Sequence, residues 1–151
     1  MQLSHHDLDV WKAAVDLVQG VYELTARFPT EEKYGLTNQM RRAAVSIPSN
    51  IAEGAARVSR REFAHYLVVA RGSLAELETQ VRISVSLGLF SVAESRPLNE
   101  SIERTFSLLS GLLRAIGGGR VDRVSEEPAD GAEVTYQFLP HREEEEGSTT
   151  E

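Results

Sequence analysis

The chain is 151 residues long, which leaves room for one domain with a proper core. It holds no cysteine, which excludes a disulfide framework, a thiolate metal site and a cysteine nucleophile. The formal charge of −7 sits in one place: residues 1–116 carry 13 Lys and Arg against 13 Asp and Glu, whereas residues 117–151 carry 3 against 10.

The opening run "MQLSHHDLDVWKAAVDL" is polar and acidic rather than basic and then apolar, so no secretory leader is expected. No segment approaches the roughly 20 apolar residues that span a bilayer. The expectation is a soluble cytoplasmic protein with no membrane partner.

A first helix is expected from about Asp7 to Arg27, with Leu8, Trp11, Val15, Val18, Tyr22 and Thr25 recurring at steps of three and four on one stripe. "FPTEEKYG" then stops it, with Pro29 and Gly35 as breakers. A second helix starts near Leu36 and turns Leu36, Met40, Ala43, Ile47 and Ile51 inward. Pro48 falls inside it, removes one backbone hydrogen bond and is expected to kink it. Gly54 marks its expected end, unless Ala55 and Ala56 carry it further.

The third helix is the longest, Ser59 to about Leu87, with Ser59 and Glu62 spaced as a capping box. Phe63, Ala70, Leu77 and Ser84 repeat every seven residues, as do Leu67, Leu74 and Val81, which is a bundle seam. Tyr66, Val69, Ile83 and Leu87 form a second apolar flank that one core does not need. At Gly72 and Ser73 the side chains are small enough for a neighbouring backbone to approach. After "LGLFS", a fourth helix takes roughly Val92 to Ile116, with Ile102, Phe106, Leu109, Leu113 and Ile116 inward. Pro97 lies near its start, which leaves Arg96 or Pro97 as alternative beginnings.

Four amphipathic segments with short connections predict an all-α fold, an up-down antiparallel four-helix bundle over residues 1–116. "GGGR" at 117–120 marks the boundary to a Gly-rich linker and acidic tail, 117–151. "EVTYQFLP" at 133–140 alternates like a strand, but one strand cannot stand alone. With "EEEE" at 143–146, the composition predicts that most of this segment is disordered.

"LDVWKAAVDLVQGVYELTARFP", "EKYGLTNQMRRAAVSIPSNIAEGAARVSRREFAHYLVVARGSLAELETQV" and "SLGLF" closely resemble the signature of a bacterial four-helix bundle protein family associated with intervening sequences in 23S ribosomal RNA genes. The resemblance covers residues 8 to about 90. Relatives include the accessory variability determinant of diversity-generating retroelements. The resemblance implies a closed homopentamer, no catalytic activity and, for the retroelement relatives, binding of a reverse transcriptase and nucleic acid. Those relatives are markedly basic, whereas this bundle is neutral and its tail acidic.

Candidate sites lie in the same stretch. Arg41, Arg42, Arg57, Arg60 and Arg61 are the residues expected to bind nucleic acid, RNA or DNA, or a protein partner, since several guanidiniums are what neutralises phosphates. The opposing reading is a solvated corner with ion pairs to neighbouring subunits. Pro48, Asn50, Glu53 and Gly54 read as a structural motif: Asn50 can bond backbone freed by the proline, and Glu53 can pair with Arg57. The tail is expected to bind a basic partner or to compete for the arginines.

Glu62 and His65 have the Glu-x-x-His spacing of di-iron bundles. Those sites need two such motifs and two further glutamates, and His5, His6 and His141 lie outside the helices, so no metal or other cofactor is expected. No nucleophile–His–acid set or phosphate loop stands out. The sequence therefore points to a non-enzymatic oligomeric adaptor for a protein or ribonucleoprotein, with direct RNA or DNA binding by the arginines as the alternative.

Overall fold

The computed structural model describes residues 4–117. Four helices form it: α1 Asp9–Thr25, α2 Leu36–Ala55, α3 Arg60–Ser86 and α4 Val92–Gly117, with single 3₁₀ turns at His5–Asp7 and Thr30–Glu32. No strand occurs among the described residues. Helices α1 and α3 each pack against α2 and α4, which closes an up-down-up-down square, and α2–α3 is its most extensive contact. Among the described residues no helix is long and apolar enough to cross a membrane. The tail expected from Gly-rich composition and charge falls, after Gly117, outside the described residues.

The heptad-spaced seam of α3 is the buried one: Leu67, Ala70, Leu74, Leu77, Val81 and Ser84 all face the core, with Phe63 packed against it. On α2 the expected Met40, Ala43, Ile47 and Ile51 are buried, joined by Ala44. The α1 reading needs correction. Its core stripe is Val10, Ala14, Leu17, Val21 and Leu24, turned by about one residue, roughly 100°, from the expected one. Of the expected residues, Thr25 is buried, Leu8, Trp11 and Val18 lie on the edge of that stripe, Val15 is half-buried and Tyr22 faces outward.

The α4 core face is Ser95, Leu98, Ile102, Thr105, Leu109 and Leu113, and Phe106 lies outside it, 49% exposed. Thr105 can be buried because its hydroxyl donates to the Ser101 carbonyl at 2.8 Å. Helix α4 begins at Val92, neither at Arg96 nor at Pro97. Ser91 and Glu94 cap it reciprocally: the Ser91 N–H donates to Glu94 Oε2 at 2.7 Å, and the Glu94 N–H donates to Ser91 Oγ at 3.1 Å. The expected box at α3 forms only in half, with the Glu62 N–H donating to Ser59 Oγ at 3.3 Å. Helix α3 is closed off by Gly88, two residues past its end, whose φ of 72° lets the Leu89 N–H reach the Ser84 carbonyl at 2.9 Å.

Candidate partner-binding surface at the α2–α3 corner

Pro48 sits inside α2 without ending it. The polar residues around it bond the carbonyls of the preceding turn: Ser49 Oγ donates to Val45 O at 2.8 Å, and Asn50 Nδ2 to Ser46 O at 2.8 Å. The Ser46 hydroxyl, 3.0 Å from the same Asn50 Nδ2, meets Ser73 Oγ on α3 at 2.8 Å. These bonds brace α2 around Pro48 and tie it to α3.

Gly54 does not merely stop the helix. A Cβ there would lie 2.8 Å from both Phe63 Cδ2 and Tyr66 Cβ, so only glycine lets the end of α2 and the start of α3 approach this closely. The expected close approach at Gly72 is absent within the protomer, since nothing lies within 4 Å of the place a Cβ would occupy.

The five arginines separate into two sets. Arg41 and Arg42 sit near the start of α2, and Arg57 follows its end, roughly 20 Å away along the helix axis. Only Arg57, Arg60 and Arg61 share the corner. Arg41 is half-buried against α1: its Nε donates to Thr25 Oγ1 at 2.9 Å, and its guanidinium carbon lies 4.4 Å from the centre of the Tyr22 ring. Arg42 is exposed and lines a shallow polar groove of about 470 Å³ between α2 and α3, beside Asn38 and Glu76.

At the corner, Arg57 is held in place. Its Nη2 pairs with Glu53 and donates to Tyr66 Oη at 2.9 Å, and its guanidinium lies 5.1 Å from the Tyr66 ring centre. The Glu53 hydrogen bond, then the Tyr66 hydroxyl, push the Arg57 pKa up from its ordinary value, so it stays cationic at all working pH. Arg60 and Arg61 are exposed and form no ion pair among the described residues. Between Arg57 and these two stands Val58, 99% exposed. Sequence reading passed over Val58, because one valine in a polar turn carries no periodic signal.

His65 is exposed on α3, and among the described residues no three His, Asp or Glu side chains gather as a ligand set. The other end of the bundle is closed by Phe28 stacked on Phe90, ring centres 5.6 Å apart, and by Arg27 paired with Glu94 at 3.4 Å. Along α3, Val69, Ile83 and Leu87 remain exposed, so the second apolar flank is not covered within the protomer.

A family described as 23S rRNA-intervening sequence protein has a sequence model that matches residues 6–111. No match is found among proteins of curated function. Among solved structures, the chain is similar to a crystal structure from Bacteroides thetaiotaomicron, described as a protein with unknown function from the S23 ribosomal protein family. The identity is 20%, the TM-score 0.65, and the match covers 70% of this chain and 98% of that one. At that identity the likeness concerns the fold.

Proposed function

The chain belongs to the 23S rRNA-intervening sequence protein family, and from that premise we propose that it is a non-enzymatic adaptor, a homopentamer of four-helix protomers that holds a protein or ribonucleoprotein partner. The observation that supports self-assembly is the apolar flank of α3. Leu87 is 62% exposed and Ile83 43%, on a helix whose opposite face already fills the core. A surface helix of a lone globular protein carries polar residues there. Light scattering and sedimentation velocity at micromolar concentration test the reading: a pentamer is expected, and a monomer would end it. A reverse transcriptase is one partner class to look for in a pull-down from the host, with and without nuclease.

Direct binding of RNA or DNA is the second reading, favoured by Arg60 and Arg61 standing exposed without carboxylate partners among the described residues. It requires affinity that falls steeply with salt, because binding releases counterions from the phosphates. Affinity that does not respond to salt, or to charge reversal at these arginines, counts against it.

A further inference from the structure

We propose that the α2–α3 corner docks an acidic peptide segment of a partner protein, with an apolar side chain of that segment seated on Val58. The inference rests on the adaptor reading for what the surface serves, but its geometry is independent of the ring. Three observations carry it.

The first is Val58 itself. It is almost wholly exposed, in a turn so short that its side chain has nowhere to fold back. The turn is fixed at both ends, by the Arg57 N–H donating to the Gly54 carbonyl at 3.0 Å and the Phe63 N–H to the Ser59 carbonyl at 3.0 Å. Val58 therefore presents an exposed apolar side chain between two hydrogen-bonded neighbours, Arg57 and Ser59.

The second is the charge around it. Arg60 and Arg61 occupy the first two positions of α3, where the free N–H groups of a helix favour acidic side chains and disfavour cations. Glu62 supplies the acid of that turn, but neither arginine pairs with a carboxylate among the described residues, so the two cations have no visible return inside the protomer. Departures of that kind mark functional positions. Carboxylates from outside would fit the planar guanidinium forks and remove the conflict.

The third observation selects peptide over polyphosphate. Residues 1–116 have no net charge and residues 117–151 carry −7, so no broad field gathers a long polyanion, and only short contacts at the corner remain. Arg57 is already engaged by Glu53 and Tyr66, which leaves two uncommitted cations at the corner, few for binding driven by counterion release. A phosphate backbone also gains nothing from Val58, whereas an apolar side chain flanked by carboxylates uses both features.

The test is fluorescence anisotropy of the full-length protein with a labelled peptide that carries a leucine between two runs of glutamate. Its controls are the same peptide with serine for leucine, and labelled oligothymidine. Reversing both cations, Arg60→Glu with Arg61→Glu, is expected to weaken peptide binding by roughly tenfold or more. The same change is expected to raise the thermal midpoint, because acid replaces cation in the first turn of α3. Val58→Ser is expected to weaken the leucine peptide and leave the serine peptide unaffected. Arg42→Glu, at the other end of α2, should change neither. The proposal is overturned if the unaltered protein does not bind the peptide, if the double reversal leaves its affinity unchanged, or if oligothymidine binds more tightly. Sedimentation of the same samples keeps the two readings apart: a pentamer that ignores the peptide defeats the corner alone, and a monomer that binds it defeats the ring alone.

Discussion

Arg41 and Thr25 are joined across the α1–α2 contact, the guanidinium Nε donating to the threonine Oγ1 at 2.9 Å while that hydroxyl donates in turn to the Val21 carbonyl at 2.7 Å. Thr25 is buried, so its oxygen would lose a partner that water cannot replace. Arg41 thus belongs to the architecture, unlike its neighbour Arg42. Arg41→Ala is expected to destabilise the bundle by about 1.5–3 kcal/mol, the range for a hydrogen bond with a charged partner. In a double-mutant cycle with Thr25→Val, urea denaturation should return a coupling of about 1 kcal/mol. Additive losses would show that the two side chains stabilise the fold separately.

Gly54 and Gly72 make opposite predictions from the same substitution. Alanine at 54 places a methyl carbon 2.8 Å from Phe63 and Tyr66, inside the most extensive helix contact among the described residues, where overpacking costs about 1–3 kcal/mol. Alanine at 72 meets nothing within 4 Å and removes a flexible residue from the middle of α3, which should stabilise by roughly 0.5–1 kcal/mol. Chemical denaturation of both variants at equal concentration decides. A destabilising Gly72→Ala would mean that a partner protomer sits against that glycine.

What the sequence revealed, and what it hid, follows from how each residue meets its neighbours. The α3 seam was legible because its apolar positions repeat every seven residues, whereas the second flank is interrupted by Ser73, Glu76 and Gln80. On α1 two stripes compete, and the larger side chains of Trp11, Val15 and Tyr22 outweigh the buried Ala13 and Ala14. On α4 the bulky Phe106 hides the quieter Thr105, whose hydroxyl is satisfied by its own helix. At the candidate site the clustering of Arg57, Arg60 and Arg61 at the entry to α3 was legible in the sequence, and what the fold adds is that Arg41, within α2, is half-buried against α1. Val58 has no signature at all. It matters because of what surrounds it.

Acid should act on the cap of α4. The Ser91 backbone N–H, then the Ser91 hydroxyl and the nearby Arg27, hold the Glu94 carboxyl below its ordinary value of 4.5. The folded pKa lies under the unfolded one. Its contribution is therefore complete above the ordinary value and fades as pH falls through the lower folded one. Glu94→Gln removes the titration, so the variant should lose less stability than the parent between pH 4.5 and more acidic conditions. Arg27→Ala should have the smaller effect, since its charge is the weakest of the three causes. Thermal midpoints measured across that window are the check, and parallel curves for Glu94→Gln and the parent would show that the cap does not titrate differently in the two states.

The exposed flank of α3 gives the sharpest mutational test of assembly. Ile83 and Leu87 are exposed in the protomer, so replacing either with aspartate should change the stability of an isolated bundle by only about 0.5 kcal/mol. If the flank is where copies meet, the same substitution buries a carboxylate in an apolar contact, and the assembly dissociates. Ile83→Asp should then sediment as a folded monomer with unchanged helical circular dichroism. Its thermal midpoint should also cease to depend on protein concentration, since mass action no longer contributes. Phe106→Asp probes the neighbouring α3–α4 groove, lined by Leu74, Ala75 and Ile102, and separates that face from the flank. An assembly that survives Ile83→Asp and Leu87→Asp but not Phe106→Asp would move the contact to the α3–α4 side. One that survives all three would leave the apolar flank without a role in self-association.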